Sequence, residues 1–369
     1  MASHSWPHFQ RLTQRNDSAP RFQSQWPTEP LISSPIMRAS NTHNIERLQM
    51  TNFKRLLPAV VAGLLVSGLG TAAAETRITY KSAKVGSSYY QMGVELAQAM
   101  KAGSNGDIIV TVEESQGSVQ NVMESASRTG NYVFTTPPSL ISAAMADKGP
   151  FEKNPSPKYK DIRALFPIPS LTMHFVTHGD AGINSFADMA GKTVLVGKGT
   201  FSAREGQKYL DMFGLDGKVE TANVELNNAV PALKNRQIDA FVTAGSFPAP
   251  NVIEAAASTP VVVLSLTDAQ IEQTGAAKVT IPANTYTGQT EPIQTTSLPV
   301  IAYTTTQMSD ETAYELTKTF WEAREKMADS AAWWKGVTPE MLANITSKIH
   351  PGALRYYQEN KFPLTDANQ

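Results

Sequence analysis

Between residues 77 and 275 the chain alternates between short runs rich in β-branched residues and helical stretches, and this rhythm limits the possible folds more than any other feature. It predicts the first strand and helix at residues 77–80 and 88–101, and the last strand of the series at residues 261–266. Strands that alternate with helices of roughly 10–15 residues are joined by crossover connections and form parallel sheets. The sequence therefore predicts an α/β fold.

The rhythm breaks toward the C-terminus. Residues 278–295 are dense in Thr, Pro and Gly and are predicted to form a loop, whereas residues 296–304 are predicted to form a strand. After this strand, apolar residues recur at spacings of three and four, which places them on one face of a helix. This apolar stripe consists of Ala313, Leu316, Phe320, Ala323 and Met327. The chain is thus predicted to end in amphipathic helices that pack on the sheet.

The simplest arrangement of these elements has two lobes. Residues 75–170 together with residues 305–369 would form lobe I, and residues 171–304 would form lobe II. Two segments, 171–178 and 296–304, would cross between the lobes as hinges. Two connections of this kind permit the lobes to close around a ligand.

A secretory signal peptide is predicted at residues 50–74. Lys54 and Arg55 give it a basic start, an apolar run of about 14 residues follows, and Ala72-Ala73-Ala74 forms a small-residue cleavage site. The run is too short for a membrane span. Export to the periplasm with cleavage after Ala74 is therefore expected. Residues 1–49 show no apolar periodicity, and we interpret them as a disordered or mis-assigned N-terminal extension, with translation starting at Met50.

Composition excludes several classes of function. The chain contains no cysteine, so disulfides, a thiol nucleophile and a lipid-anchored cysteine are excluded. The formal net charge is −1, and no basic stripe is present to neutralise nucleic-acid phosphates. No second apolar segment is long enough to span a membrane. We therefore expect a soluble protein, and we expect it to be a monomer.

The sequence lacks the motifs of common enzymes and cofactor sites. It contains no G-x-S-x-G, H-E-x-x-H or C-x-x-C pattern. Gly191-Lys192-Thr193 resembles the end of a phosphate-binding loop, but Phe186 stands where that loop requires a glycine. His174 and His178 lie in a β-rich segment, where residues four apart are about 13 Å from each other, too far to share one metal. We therefore expect a non-enzymatic protein without metal or cofactor.

Small polar turns follow five of the predicted strands. They begin at Gly86, Gln116, Thr135, Gly197 and Gly245. Ligands of α/β proteins bind beyond the carboxyl ends of the strands, where helix N-termini present free N–H groups and a partial positive charge. The turns are also ordinary helix caps, so their residues alone leave a ligand cleft and a purely structural role equally open. If a cleft exists, it suits an anion such as a carboxylate.

Two further points stay open at this level. Lys84, Lys198 and Arg204 lie near the turns, and each is either a partner for a carboxylate or a surface charge. Phe201 and Phe247 either contact an apolar part of the ligand or pack beneath the loops.

Several segments, in their order and spacing, resemble the TAXI-type solute-binding proteins of tripartite ATP-independent periplasmic (TRAP) transporters. The segments that carry the resemblance are Gly86-x-x-Tyr89-Tyr90-x-x-Gly93, Gln116-Gly117-Ser118-Val119-x-Asn121, Gly197–Ser202, Gln237–Phe241, Pro248-x-Pro250, Ile281–Gln289 and His350–Tyr357. They span nearly the whole chain after the signal peptide. The resemblance implies a two-lobed periplasmic binding protein fold, type II-like, with hinge strands and C-terminal helices.

The same resemblance implies a function and a site. The function is capture of a small anionic solute, such as glutamate, an oxoacid or a dicarboxylate, and its delivery to the membrane permease subunits of a TRAP transporter. The implied ligand-binding residues are Gly86, Ser87, Ser88, Tyr89, Gln116, Gly117, Ser118, Thr135, Thr136, Gly199, Thr200, Ser202, Gly245, Ser246 and Tyr286. The alternatives are the receptor of an ATP-driven ABC importer, a periplasmic sensor module and, in a different class, a secreted hydrolase.

Overall fold

The computed structural model describes residues 75–366, and the predicted signal peptide and N-terminal extension lie outside this range. A first βα group forms the N-terminal part of the described chain. It consists of β1 (Thr76–Lys81), α1 (Ser88–Gly103), β2 (Ile108–Glu113), α2 (Ser118–Ser125), β3 (Tyr132–Thr136) and α3 (Pro138–Met145). Strand β1 pairs in parallel with both β2 and β3. The parallel α/β pattern predicted from the sequence is confirmed here.

A second βα group repeats the pattern. It consists of β5 (Thr193–Leu195), α4 (Phe201–Met212), β6 (Glu220–Ala222), α5 (Ala229–Lys234), β7 (Ala240–Gly245) and α6 (Pro250–Ser258). Strand β5 pairs in parallel with β6 and β7. Together the two groups provide the paired sets of parallel strands that a two-lobed fold requires.

Two long strands join the groups into one sheet. They are β4 (Ile162–His178) and β10 (Ile293–Thr305), which pair antiparallel with each other. The order across the sheet is β2-β1-β3-β10-β4-β7-β5-β6, with two further strands, β8 (Val261–Val263) and β9 (Ala277–Ile281), paired to β4 and β10. Both predicted hinge segments, 171–178 and 296–304, lie within these crossing strands. The fold is therefore a mixed α/β sheet with two long crossing strands at its centre.

Strand β4 is longer than the sequence suggests. The sequence predicts two extended segments, residues 162–167 and 171–177, and Pro167 and Pro169 lie at the end of the first and just after it. In the structure they form one strand, since the pairing with β10 shifts register between Leu298 and Val300. A bulge of this kind accommodates residues that cannot donate to the ladder.

The predicted loop at 278–295 is partly wrong. Its first residues belong to β9, which pairs antiparallel with Ile293–Ser297 at the start of β10. The alternation of Val279 and Ile281 with Lys278 and Thr280 fits this hairpin, and the density of Pro and Gly marks only the connection between its strands.

The C-terminal helices agree with the predicted apolar stripe. Helix α8 (Asp310–Ser330) buries all five residues of the stripe, and α9 (Pro351–Glu359) packs beside it. Trp334 and Tyr357 are fully buried, as expected for packing residues. A short helix, α7 (Asp268–Thr274), completes the set. Within residues 75–366, no helix combines the length and the apolar character needed to cross a membrane.

The two lobe boundaries remain a prediction. The larger hydrophobic cluster extends from Ile78 in β1 to Tyr209 in α4 and Tyr357 in α9, so apolar packing alone does not divide the described chain.

Candidate functional site

A small cavity lies where the first and second βα groups face each other, at the carboxyl ends of their strands. Its volume is about 50 Å³. The wall consists of Ser82, Ala83, Lys84, Ser87, Tyr89, Gln116, Gly117, Ser118, Thr135, Leu171, Thr200, Phe201, Ser202, Leu226, Ala244 and Val300. This interlobe cavity occupies the position at which α/β sheets bind ligands.

The structure brings eight of the predicted site residues together in this wall. They are Ser87, Tyr89, Gln116, Gly117, Ser118, Thr135, Thr200 and Ser202. The other predicted residues lie outside the wall: Gly86, Ser88, Thr136, Gly199, Gly245, Ser246 and Tyr286. The polar turns that follow β1, β2, β3 and β5 therefore converge on one space.

Two of the cavity hydroxyls also cap helices. Ser87 Oγ accepts a hydrogen bond from the backbone N–H of Tyr90 at the start of α1. Thr200 Oγ1 accepts from the N–H of Ala203 at 3.1 Å at the start of α4. Thr200 Oγ1 lies 2.8 Å from Ser202 Oγ, so these hydroxyls form a pair in the cavity wall. Both helices thus direct their N-termini at the cavity.

Helix α2 begins at the cavity without a side-chain cap. Gly117 occupies the N-cap position with φ of 98° and ψ of −158°, a conformation that suits only glycine, and no side chain of residues 75–366 caps the first turn. The first N–H groups of a helix have no partner within the helix. This uncapped end therefore presents free donors and a partial positive charge to the space beside Ser118.

Asn121 holds the floor of the cavity together. Its buried Nδ2 donates to the carbonyl oxygens of Ser82 at 2.8 Å and Thr135 at 3.0 Å. These bonds join the ends of β1 and β3 to α2. Ser115 Oγ donates to the same Ser82 carbonyl at 2.9 Å, which adds the end of β2. The convergence of the turns is thus fixed by hydrogen bonds to buried groups.

The two βα groups contact each other directly beside the cavity. The N–H of Ser246 donates to Ser88 Oγ at 3.0 Å, and a Cβ added to Gly245 would overlap that hydroxyl. The side-chain oxygen of Gln116 is buried without a hydrogen-bond partner among the described residues. It lies 3.9 Å from the position of a Cβ on Gly199, on the opposite group. The predicted residues outside the wall therefore include three that form the contact between the groups: Ser88, Gly245 and Ser246.

Lys84 is the one charged residue in the cavity wall. Its Nζ lies 3.7 Å from a carboxylate oxygen of Glu114 and 3.7 Å from one of Glu225, which belongs to the second group. Lys198 and Arg204 are exposed and lie outside the wall. Of the three cations left open by the sequence, only Lys84 lies beside the cavity.

Tyr89 lines the cavity with its aromatic ring, and its hydroxyl stays protonated. Its hydroxyl donates to the carbonyl of Pro169 at 2.7 Å. Burial raises the pKa of this phenol well above its usual value, with a smaller contribution from nearby Tyr80. Phe201 also lines the cavity while packing into the main hydrophobic cluster, whereas Phe247 lies elsewhere.

Tyr286 lies on the other face of the sheet. Its hydroxyl is 2.8 Å from His174 Nε2 and accepts from the N–H of Ala249 at 3.0 Å. His174 Nδ1 donates to the Thr172 carbonyl, which can only accept, so Nε2 accepts the Tyr286 proton. Burial lowers the pKa of His174 to about 4, and the bond to Thr172 opposes this shift. His174 is therefore neutral and buried, and its hydrogen bond with Tyr286 supports the loop around that residue.

The apolar residues of the cavity wall were not predicted from the sequence. Leu171, Leu226, Ala244 and Val300 come from β4, the segment before α5, β7 and β10. Apolar residues in strands carry no local signal for a binding site, because their position depends on which elements meet. Ser82 directly follows β1, and the rule that ligands bind at strand ends could have identified it.

The fold is that of the periplasmic binding proteins. The structure of periplasmic binding protein BugD superposes with a TM-score of 0.51 and 14% identity, over 79% of this chain and 99% of that chain. MatC from Rhodopseudomonas palustris with bound malate superposes with a TM-score of 0.51 and 10% identity, over 76% of this chain and 98% of that chain. These likenesses define a two-lobed solute-binding fold.

The sequence family is also defined. The profile of the NMT1-like family matches residues 81–360, and the chain belongs to this family.

Proposed function

We propose that the protein is a periplasmic solute receptor that binds a small carboxylate in the interlobe cavity and delivers it to membrane permease subunits. The observation that carries this proposal is the convergence of hydroxyls and helix N-termini from both βα groups on one enclosed space. A protein with such a site needs no catalytic group, and we expect stoichiometric, reversible binding without turnover.

Most of the accessible lining of the cavity is apolar, and its polar groups favour an anion with hydrogen-bond acceptors. The uncapped start of α2 supplies backbone donors, and Lys84 supplies a positive charge at the edge. Hydrogen bonds to a charged group contribute roughly 1.5–3 kcal/mol each, so several of them support micromolar or tighter binding after ordering costs. The malate in the MatC structure is a carboxylate of the proposed kind.

The solute class is tested by a thermal-shift screen of the purified protein. Amino acids, oxoacids and dicarboxylates are each added at millimolar concentration, and a binder raises the unfolding temperature by mass action. A hit is then titrated by calorimetry for affinity and stoichiometry. Stabilisation by neutral or cationic solutes alone would contradict the carboxylate assignment.

The proposed site is tested with two matched pairs of variants. Ser118→Ala removes a hydroxyl from the cavity, and Ser139→Ala removes an exposed hydroxyl from the first turn of α3. Thr200→Val removes a cap and a cavity hydroxyl, whereas Thr267→Val removes a cap of the same kind from α7. We expect each cavity variant to weaken binding by about tenfold, which corresponds to about 1.4 kcal/mol, and each control to bind normally. Unchanged affinity in both cavity variants would reject the site.

The transporter type follows the resemblance to TAXI-type receptors, which work with TRAP permeases. We infer that uptake depends on an ion gradient rather than on ATP. In cells or vesicles that import the solute, collapse of the gradient should stop uptake. Import that survives this treatment and stops on ATP depletion would assign the protein to an ABC importer, and binding without any import would indicate a sensor module.

A further inference from the structure

A second, larger cavity lies on the reverse face of the crossing strands. Its volume is about 430 Å³, within the range of roughly 300–1,000 Å³ typical of small-molecule sites. Its wall consists of Pro169, Ser170, Thr172, Ser246, Phe247, Pro248, Val279, Pro282, Thr285, Ser297, Ala332, Trp333 and Gly336. We propose that this reverse-face pocket is a second binding site, for a small neutral ring compound that carries hydroxyl or amide groups.

The alternation of side chains along β4 separates the two cavities. Leu171 lines the interlobe cavity, whereas its neighbours Ser170 and Thr172 line the reverse-face pocket. Successive residues of a strand point to opposite faces of the sheet. The reverse-face pocket is therefore a separate space behind the strand and not an extension of the proposed solute site.

Strand register gathers hydroxyl-bearing residues on the floor of this pocket. Thr172 pairs with Ser297 on β10 and with Gly245 on β7, and Ser246 follows directly. Paired residues on adjacent strands have their Cβ atoms about 4.5–5.5 Å apart on one face. Thr172 and Ser246 are more than nine-tenths buried as whole residues, and both line the reverse-face pocket. A hydroxyl both donates and accepts hydrogen bonds, so these side chains can pair with a hydroxyl or amide group of a ligand.

The walls above this floor are aromatic and uncharged. Phe247 and Pro248 come from the second βα group, and Trp333 comes from the short helix Ala332–Gly336 after α8. The indole N–H of Trp333 donates to Glu95 at 3.0 Å, which fixes the ring as part of the wall. None of the residues in the wall carries a charge, so an ion would lose its hydration without compensation. Rings beside hydroxyl groups suit a neutral molecule with one apolar face and one polar edge.

The test is an NMR titration of the whole protein with benzyl alcohol, using benzylammonium as the charged control of similar shape. Val279 lines the reverse-face pocket and Val300 lines the interlobe cavity, so their methyl signals report which space is filled. We expect benzyl alcohol to shift Val279 and not Val300, and benzylammonium to bind at least tenfold more weakly. Shifts at Val300 alone, equal binding of both probes, or no binding at 10 mM, on the order of weak-fragment affinity, would each overturn the proposal.

A pair of variants tests in a second way whether the probe binds in the reverse-face pocket. Ala332→Trp places a large ring in the pocket, and Gln358→Trp places the same ring on the exposed face of α9, outside the wall of the pocket. We expect the first to reduce benzyl alcohol affinity at least tenfold and the second to leave it unchanged. Equal affinity in both would overturn the proposal. The solute site is tested separately with the Ser118 and Thr200 variants. Failure of one proposal therefore does not decide the other.

Discussion

Ser87 and Thr200 each serve two purposes, because each caps a helix and also lines the interlobe cavity. A substitution at either position removes about 1 kcal/mol of helix stabilisation as well as a potential ligand contact. Binding data for such a variant have meaning only beside a cap variant elsewhere, for which Thr267 is suited. Gly117 has the opposite property, since it leaves its helix uncapped and thereby keeps the donors of α2 available.

His174 allows a prediction about pH at the scale of one residue. Burial lowers its pKa from 6.5 to about 4. Between these values the unfolded chain binds a proton that the folded chain does not, so the free energy of unfolding falls as the pH falls from 6.5 to 4. The limiting slope is about 1.4 kcal/mol per pH unit.

We expect His174→Gln to flatten this decline, measured by urea unfolding at several pH values across the window. Burial also lowers the pKa of His350, so part of the slope remains. The same slope in variant and parent protein would show that His174 is protonated in the fold.

At the scale of elements, the sequence could predict the features whose signal lies in residues close together along the chain. The cap formed by Thr267 and Gln270 and the apolar stripe of α8 are each formed by residues close together in the sequence. Both are present in the structure. The polar turns were likewise recognisable because glycine and hydroxyl residues follow each strand. The β9–β10 hairpin and the continuity of β4 depend on pairing between distant residues, and the sequence offered no direct sign of them. The placement of Tyr286 came from the resemblance alone, and the structure places it behind the sheet.

The contact between α8 and α9 gives a prediction at this scale. A Cβ on Gly352 would overlap the carbonyl oxygen of Asp310 and lie 2.9 Å from the backbone N of Tyr314. We expect Gly352→Ala to lower the free energy of unfolding by about 1–3 kcal/mol, because the helices must move apart. Alanine is otherwise the better helix former, so an unchanged or raised stability would disprove the close approach.

The matched control is Gly336→Ala, whose added Cβ meets no atom within 4 Å. Its stability should stay within about 0.5 kcal/mol of the parent protein. Guanidinium unfolding followed by circular dichroism measures both variants.

At the scale of the whole molecule, the two βα groups contact each other directly beside the interlobe cavity. The groups meet at Ser88 and Gly245 beside a cavity of about 50 Å³. We propose that solutes enter when the groups separate about β4 and β10 and are held when they meet. Ligand exchange would then be controlled by a motion of the entire fold rather than by a single side chain.

A disulfide between the groups tests this motion. The built Cβ of Gly245 lies 3.4 Å from the Cβ of Ser88, close to the 3.5–4.5 Å of natural disulfides. The chain has no cysteine of its own, so Ser88→Cys with Gly245→Cys forms a single bridge. We expect the oxidised double variant to exchange solute at least tenfold more slowly than its reduced form, as measured by stopped-flow or filter binding. Equal exchange rates in an oxidised, bridged protein would mean that the groups need not separate.

The separation of the two cavities by one strand, with Leu171 facing one and Ser170 the other, has a practical consequence. Because the native chain lacks thiols, a dye attached through Ser170→Cys would be a unique label on the side away from the solute. Such a label would register rearrangement of the strand without blocking access to the front. If the proposed solute site is correct, such a labelled protein would serve as a reagentless fluorescent biosensor for its solute.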